Sequence, residues 1–250
     1  MAANPFARAI EDRDLGKRFL LFFYLIIQML LIGVALWPTC WLLLRFAPRV
    51  SFPTQWVLLI LVAILLFNYA YVLALLVLRL VIPFSKPGFY PNRLGGRPPK
   101  EILILMLNVL LVKVRYDTPW ASMFSSVLVQ LPPLGVLFRR FFGPHTTSAS
   151  MGDTCLFLDP HLVEAGKNVQ FGFLAMILCH LYDNRGLTIR KVKIGDHAVI
   201  GAESLILPGV EVGHHAVIGA RSMVLPDTII PPYEYWGGSP AEKIKDLAVG

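Results

Sequence analysis

The chain has 250 residues and a formal net charge of +7, with 56% hydrophobic and only 16% charged residues. That balance is too apolar for a simple soluble domain, and the length leaves room for one ordinary domain plus a further element. The charge comes with no nucleic-acid-binding motif, and the basic residues flank apolar segments, which argues against nucleic acid as a partner.

In chain order, Phe19–Leu44 is 26 residues without a formal charge, bounded by Arg18 and Arg45. Trp56–Leu78 is another 23, closed by Arg79. Each exceeds the roughly 20 apolar residues that an α-helix needs to cross a bilayer core. The first stretch is too long for a cleavable signal core, and Trp37-Pro-Thr-Cys follows where a small-residue cleavage site would lie. Two transmembrane helices are expected, joined through Phe46–Gln55 as a hairpin. Arg8, Arg13, Lys17 and Arg18 precede the hairpin and Arg79, Lys86, Arg93, Arg97 and Lys100 follow it, while the turn keeps Arg45 and Arg49. The positive-inside rule therefore puts both termini in the cytoplasm. Gln28 and Asn68 lie inside the spans, either hydrogen-bonded between helices or merely tolerated there.

Residues 1–82 thus form the tail and hairpin. Residues 83–150 read as a linker with short helices, starting with a Pro- and Gly-rich stretch from Pro83 to Pro99. Ile102–Val112 is apolar but too short to span, so an interfacial or packed helix is expected. Pro132 and Pro133 break the next stretch, and Val136–Phe142 sets Arg139 and Arg140 among aromatics, a pattern suited to a membrane surface. Cysteines at 40, 155 and 179 have neither metal spacing nor a disulfide framework. Cys179 adjoins His180, but neighbours in an extended segment face opposite ways, which favours packing over nucleophilic chemistry.

Residues 151–250 carry an internal repeat. An apolar residue recurs every six positions at Ile194, Ile200, Ile206, Val212, Ile218, Val224, Ile230 and Trp236. Gly follows at 195, 201, 213 and 219. Four positions after each of the first six stands a small or β-branched residue: Ala198, Ser204, Val210, Ala216, Ser222 and Thr228. Helices repeat every 3.6 residues and ordinary strands every 2. A sustained period of six means three short strands per 18-residue turn, the pattern of a left-handed parallel β-helix over about residues 163–239. Glycine serves close or positive-φ corners, and successive coils stack about 4.8 Å apart. The fold class is accordingly a membrane-anchored all-β protein, two transmembrane helices followed by this β-helix. Upstream, Ala165-Gly, Phe171-Gly and Ile177 repeat the pattern in another phase. Ile177 to Ile194 is 17 residues, one short of three hexapeptides, so something between Leu178 and Lys193 loops out. A break in a solenoid is where specific chemistry is usually placed.

The run Ile218-Gly-Ala-Arg-Ser-Met-Val through Ile230-Pro-Pro-Tyr-Glu-Tyr-Trp-Gly-Gly-Ser-Pro-Ala-Glu-Lys-Ile resembles the C-terminal signature of hexapeptide-repeat acyltransferases, over roughly residues 160–245. His180-Leu-Tyr-Asp-Asn-Arg, followed by Val192-Lys-Ile-Gly-Asp, is similar to a stretch in the membrane-associated C-terminal modules of polylysine-type nonribosomal peptide synthetases. Asp183-Asn184 departs from the Glu-Asp pair there, and Ala241-Glu242-Lys243 shifts the terminal cation by one position.

The resemblance implies transfer of an acyl group, acetyl or aminoacyl, from a phosphopantetheine thioester, commonly acetyl-CoA, to an amine or hydroxyl. A neutral imidazole suits the general base because its pKa lies near working pH, and backbone N–H groups suit the oxyanion. His180 is the candidate base. Asp183 would orient the imidazole or hold an ammonium acceptor, and Arg185 would hold a carboxylate or phosphate; solvated loop positions are the plain alternative for both. By resemblance, Gly201, Ala202, Gly219 and Ala220 line the pantetheine groove, and Arg221 and Lys243 meet the nucleotide phosphates. The family implies a homotrimer, a small-molecule or membrane-delivered acceptor, and a possible carrier-protein donor; no metal is assigned. Two other readings stand beside it. One is a γ-class carbonic anhydrase-like zinc hydratase, since His197 and His215 are 18 apart and stack on one face, although three convergent ligands are needed. The other is a non-catalytic, membrane-tethered scaffold. His145 and His161 receive no role.

Overall fold

The computed structural model describes residues 5–91, 100–117, 148–151 and 155–248, with side chains for 22–91, 100–112 and 155–248. The expected surface segment Val136–Phe142 and His145 lie outside these residues. The described residues divide into two units: α1 (Pro5–Phe46) and α2 (Pro53–Val81) as far as Leu78, with the last turn of α3 (Lys100–Asp117), and everything from Arg79 onward.

The first unit is a helical pair. A short 3-10 turn, Ala47–Arg49, ends α1, and Pro53 opens α2, where its missing N–H costs nothing. The Gln55 side chain accepts the orphan N–H groups of Ser51 and Phe52 at 2.9 and 3.3 Å. Small and medium residues meet between the helices, with Leu31, Ala35, Ala63, Val72 and Leu75 buried. Gln28 takes the interhelical option: it accepts from the Tyr71 hydroxyl at 3.1 Å. Asn68 instead donates to the Ile64 carbonyl of its own helix. The outward faces are apolar and open, as at Trp37, Leu44 and Leu58. Phe22–Arg49 and Pro53–Val81 are each long and apolar enough to cross a membrane.

In the second unit the chain runs from β1 (Gly88–Pro91) through α3 to β2 (Ser148–Met151), β3 (Leu156–Phe157), β4 (Val163–Ala165), β5 (Lys167–Phe171) and β6 (Met176–Ile177). Next come β7 (His180–Tyr182), β8 (Gly186–Ile189), β9 (Val192–Ile194), β10 (Val199–Ile200), β11 (Leu205–Ile206), β12 (Glu211–Val212), β13 (Val217–Ile218), β14 (Met223–Val224), β15 (Ile229–Ile230), β16 (Glu234–Gly238) and β17 (Ala241–Asp246). Three sheets result: β3-β6-β11-β14, β4-β9-β12-β15 and β2-β5-β10-β13-β16, with parallel neighbours throughout. Strand β17 folds back antiparallel on β16 and ends the stack. These are the parallel sheets of a hexapeptide-repeat coil, in the expected six-residue phase.

Packing explains the phase. Ile200, Ile206, Ile218, Val224 and Ile230 are all but completely buried, and so are the small partners Ala198, Ser204, Val210, Ala216 and Ser222. Each buried aliphatic side chain contributes roughly 1.5–3 kcal/mol, so the core draws on every coil. Trp236, half-buried, closes one end, and Phe157 packs edge-on to Phe171, centroids 5.1 Å apart, toward the other. The glycines at 195, 201, 213 and 219 serve close approach rather than positive φ, which among the coil glycines is found at Gly209. A Cβ on Gly201 or Gly213 would run into the backbone of Ala220 or Pro232 one coil away. Positive φ falls two residues later, on His197, Glu203, His215, Arg221, Asp227 and Tyr233. Non-glycine residues therefore carry these corners, at a conformational cost that the ladder offsets.

The register resolves the slip. Val199 pairs with Val217 and Leu205 with Met223, an offset of 18, but Gln170 pairs with Val199 and Met176 with Leu205, an offset of 29. The excess is 29 − 18 = 11 residues. Ile177 to Ile194 is thus one six-residue step plus an 11-residue excursion (6 + 11 = 17), not a shortened run of three hexapeptides. Ala165, Phe171 and Ile177 lie on the same faces as Ile194, Ile200 and Ile206. The excursion is the hairpin β7–β8, and β1, from the segment composed like a linker, adds to it as a third antiparallel strand. Helix α3 packs through Leu105, Ile102 and Val109 on the coil core, and the Asn108 amide donates to the Pro83 carbonyl. Of the two options for Ile102–Val112, the packed helix is the one observed.

Candidate functional site

The hairpin leaves the coil at Cys179 and returns at Arg190, whose N–H donates to the Cys179 carbonyl. His180 is the first residue outside the stack, opposite Ile189. Its Nδ1 lies 2.6 Å from Oδ2 of Asp159, a carboxylate with no exposed surface, while the imidazole keeps 19% of its side chain open. That separation is typical of a charge-assisted bond. With Nδ1–H donating to the carboxylate, Nε2 carries the free lone pair, the tautomer that a general base requires. Asp159 Oδ2 also accepts the Cys179 N–H at 3.1 Å, and Oδ1 has no hydrogen-bond partner among the described residues. A buried carboxylate with half its capacity unused, gripping one imidazole, is a costly arrangement for a purely structural purpose.

Asp159 reaches this position through the first coil. Strand β3 pairs with β6 at an offset of 20, so Asp159 falls level with Cys179, beside His180. It heads a 3-10 turn, Pro160–Leu162, whose Leu162 N–H donates to the Asp159 carbonyl. His161 in that turn bonds through Nε2 to the Ser85 hydroxyl at 2.9 Å and packs at a tilt against Phe84, centroids 4.8 Å apart. Phe84 in turn carries the Arg79 guanidinium 3.8 Å over its ring. The turn that holds the carboxylate is therefore pinned by the segment following α2.

The other expected residues sit elsewhere. Asp183 does not orient the imidazole; Asp159 does. Asp183 heads the hairpin turn, three residues and roughly 10 Å along the strand from His180. Its Oδ1 accepts the N–H groups of Arg185 and Gly186, and its Oδ2 accepts Nε and Nη2 of Arg185 at 3.0 and 2.8 Å. Hydrogen bonding to Arg185 holds the Asp183 carboxyl below its ordinary range. Cys179 is fully buried, and burial, followed by the Asp159 charge, pushes its thiol pKa up, which leaves it a packing group.

On the coils, Gly201 and Gly219 N–H groups donate to the Ile218 and Trp236 carbonyls, so these two ladder donors are already engaged. Gly219 also abuts the Tyr235 ring. Arg221 pairs with Glu203 at 2.9 Å, and Lys243 with Glu234 and Asp246 at 2.6 and 2.7 Å; those partners raise both cations' pKa values. A shallow groove runs over β4, β9, β12 and β15, floored near Gly166, Gly195 and Gly213 and walled by Pro231 and Pro232. Neither His180 nor the residues at 201, 202, 219 and 220 line it. His197 and His215 do stack, centroids 4.8 Å apart, and Tyr233 continues the ladder at 4.9 Å. Among the described residues no three His, Cys, Asp or Glu side chains are grouped to hold a metal ion.

Residues 191–230 match the family described as bacterial transferase hexapeptide (six repeats). No curated protein matches the chain in sequence. Among solved structures, the chain is similar to a maltose O-acetyltransferase from Clostridium difficile 630, at 21% identity over 60% of this chain and 88% of that one, TM-score 0.41. It is also similar to a hexapeptide-repeat-containing acetyltransferase from Vibrio cholerae, at 17% identity over 60% and 94%, TM-score 0.41. A galactoside acetyltransferase in complex with coenzyme A matches at 16% identity over 65% and 88%, TM-score 0.40. The residues matched by the hexapeptide-repeat family, 191–230, are those in which the six-residue phase runs from Ile194 to Ile230.

Proposed function

We propose that this chain is a membrane-anchored acyltransferase, with His180 as general base and Asp159 as the residue that positions it. The observation that carries the reading is the buried Asp159–His180 pair, 2.6 Å apart, at the excursion just before the residues that match a transferase-type repeat. The acyl donor is a phosphopantetheine thioester, acetyl-CoA or a carrier-protein equivalent. Nε2 takes the proton of an acceptor amine or hydroxyl as its N or O attacks the thioester carbonyl. The new C–N or C–O bond forms, the C–S bond breaks, and the thiolate leaves with the proton the imidazolium returns. Asp159 holds the tautomer and stabilises the imidazolium, the role a buried aspartate plays in hydrolytic triads.

In the same proposal the coil is a left-handed parallel β-helix that forms trimers. Backbone at Gly201, Ala202, Gly219 and Ala220 lines the pantetheine. Arg221 and Lys243 exchange their carboxylate partners for nucleotide phosphates, while Asp183 and Arg185 at the hairpin turn face a charged acceptor. Helices α1 and α2 cross the membrane, with the coil on the cytoplasmic side, as their apolar outward faces and flanking arginines support. A membrane-delivered acceptor follows naturally.

The test is transfer of label from acetyl-CoA into lipids, glycans and amine metabolites by full-length protein in bilayers. Wild type should yield a labelled product and His180→Ala should lose it. An active His180→Ala protein with unchanged assembly would remove the base. The stacked His197–His215 pair favours one other reading, a zinc hydratase; stoichiometric zinc in purified protein would support that instead.

A further inference from the structure

The small sheet β1-β8-β7 has two unlike faces. Residues directly opposite on neighbouring strands share a face. Ile189 and Leu187 face inward and are buried, and His180 pairs across from Ile189. On the other face Phe89, Thr188 and Leu181 form one row across all three strands, and Phe89 and Leu181 stay open to 55% and 40%. Tyr182, also exposed, pairs with Leu187 and so lies on the His180 side, at the end of the hairpin before its turn. An aromatic and an aliphatic side chain exposed side by side on one face suit an apolar occupant.

We infer that this face docks on the surface of an anionic lipid bilayer and holds His180 at the level of the headgroups. The inference rests on the membrane-anchored acyltransferase reading above and specifies where its acceptor lies. Two observations select lipid over other occupants. Only six residues separate Val81 at the end of α2 from Gly88 in β1, a reach of at most roughly 25 Å. The segment leaving that helix, residues 82–100, carries Lys86, Arg93, Arg97 and Lys100 and no acidic residue, complementary to an anionic surface. Aromatic and aliphatic side chains flanked by lysine and arginine are the composition of an interfacial contact. The headgroup layer is about 5–8 Å deep on each side. His180, on the opposite face of a single strand layer, stands about 5 Å above the docked row. The acceptor is then a hydroxyl or amine presented by a lipid or a lipid-linked molecule.

The test uses full-length protein in phosphatidylcholine vesicles with and without phosphatidylglycerol. Single cysteines replace Phe89, Leu181, Leu80 or Phe173 in a Cys40→Ser background, since Cys155 and Cys179 are buried. Each carries a bimane label read against headgroup-level nitroxide lipids and against aqueous iodide. Labels at 89 and 181 should lose fluorescence to the nitroxide lipids, more so with phosphatidylglycerol. Phe173, equally exposed but on a coil corner, should respond only to iodide. Quenching at Leu80 but not at 89 and 181 overturns the docking and leaves the membrane anchor standing. Failure at Leu80 as well overturns both. Shielding of 181 from both quenchers means a second protein copy covers the face, which also overturns lipid docking. None of these readouts needs turnover, so the docking can fail while the transferase reading survives.

Discussion

The regular coils from Ile194 to Trp236 and the interrupted coil from Cys155 to Val192 are made of the same repeat but treat polar groups in opposite ways. In the regular coils the buried hydroxyl of Ser204 is satisfied by the Gly201 carbonyl at 2.7 Å, and charged residues pair on the outside, coil to coil, as Lys193 does with Glu211. In the interrupted coil a carboxylate is buried with one oxygen holding an imidazole and the other unpartnered among the described residues. The stack supplies stability through redundancy, and the excursion places a costly pair where the stack can support it. Chemistry and stability should therefore separate by mutation.

The largest separation is expected at His180. His180→Ala should lower transfer by about 100- to 10,000-fold, the range of general-base loss, with the circular dichroism and thermal midpoint of the coil nearly unchanged. Asp159→Asn comes next. The amide can still accept the Cys179 N–H but does not supply the charge, so transfer should fall by about 10- to 1,000-fold with kcat carrying the loss. If Asp159→Asn lowers the thermal midpoint as much as activity, the pair is structural and the contrast between the two regions collapses.

The converse experiment is Gly213→Val in the regular coils. Its Cβ would press on the backbone of Pro231 and Pro232, which cannot rotate away as a side chain would. A loss of about 3 kcal/mol or more is expected in denaturant unfolding, the upper range for overpacking. Ile206→Ala, at a fully buried position, should cost about 2–5 kcal/mol by leaving a cavity. Both variants should keep transfer per folded molecule close to wild type.

Much of this contrast is legible in the sequence, and the rest is hidden for identifiable reasons. The six-residue phase marks every core residue from Ile194 onward because each face needs one large and one small side chain. The slip also locates His180. Its partner Asp159 is hidden because the first coil runs at an offset of 20, and eight residues rather than six separate Phe157 from Ala165. No periodic signal sets that register. Asp183 looks like the partner because it is near in sequence, but a β-strand carries it away from His180. Strand β1 is hidden for a different reason: Gly88-Phe-Tyr-Pro is composed like a linker and becomes a strand only because β8 offers an edge. The corner residues mislead as well, since the glycines mark close approach while His197 and its equivalents adopt positive φ.

The smallest expected effect concerns the far end of the regular coils, where β17 folds over β16. Glu234, largely buried, accepts Lys243 Nζ at 2.6 Å and Trp236 Nε1 at 2.7 Å. The Lys243 hydrogen bond, then that of Trp236, holds its carboxyl below the ordinary range. A carboxylate whose folded pKa is depressed stabilises the fold above its unfolded value, near 4.3, and that contribution disappears as pH falls through the lowered value. Amide exchange across Glu234–Asp246 should therefore quicken below about pH 4 in the wild type, while exchange at Lys167–Ile177, a stretch of the interrupted coil without a carboxylate, shows no matching step. Glu234→Gln should exchange faster at neutral pH and lose most of the acid step. It should leave kcat within about twofold, since the pair closes the stack and the proposed base lies at the interruption. An acid step of equal size in both segments would mean that the cap and the interrupted coil open together, and the two regions would then be one cooperative unit rather than a stable stack carrying a separable site.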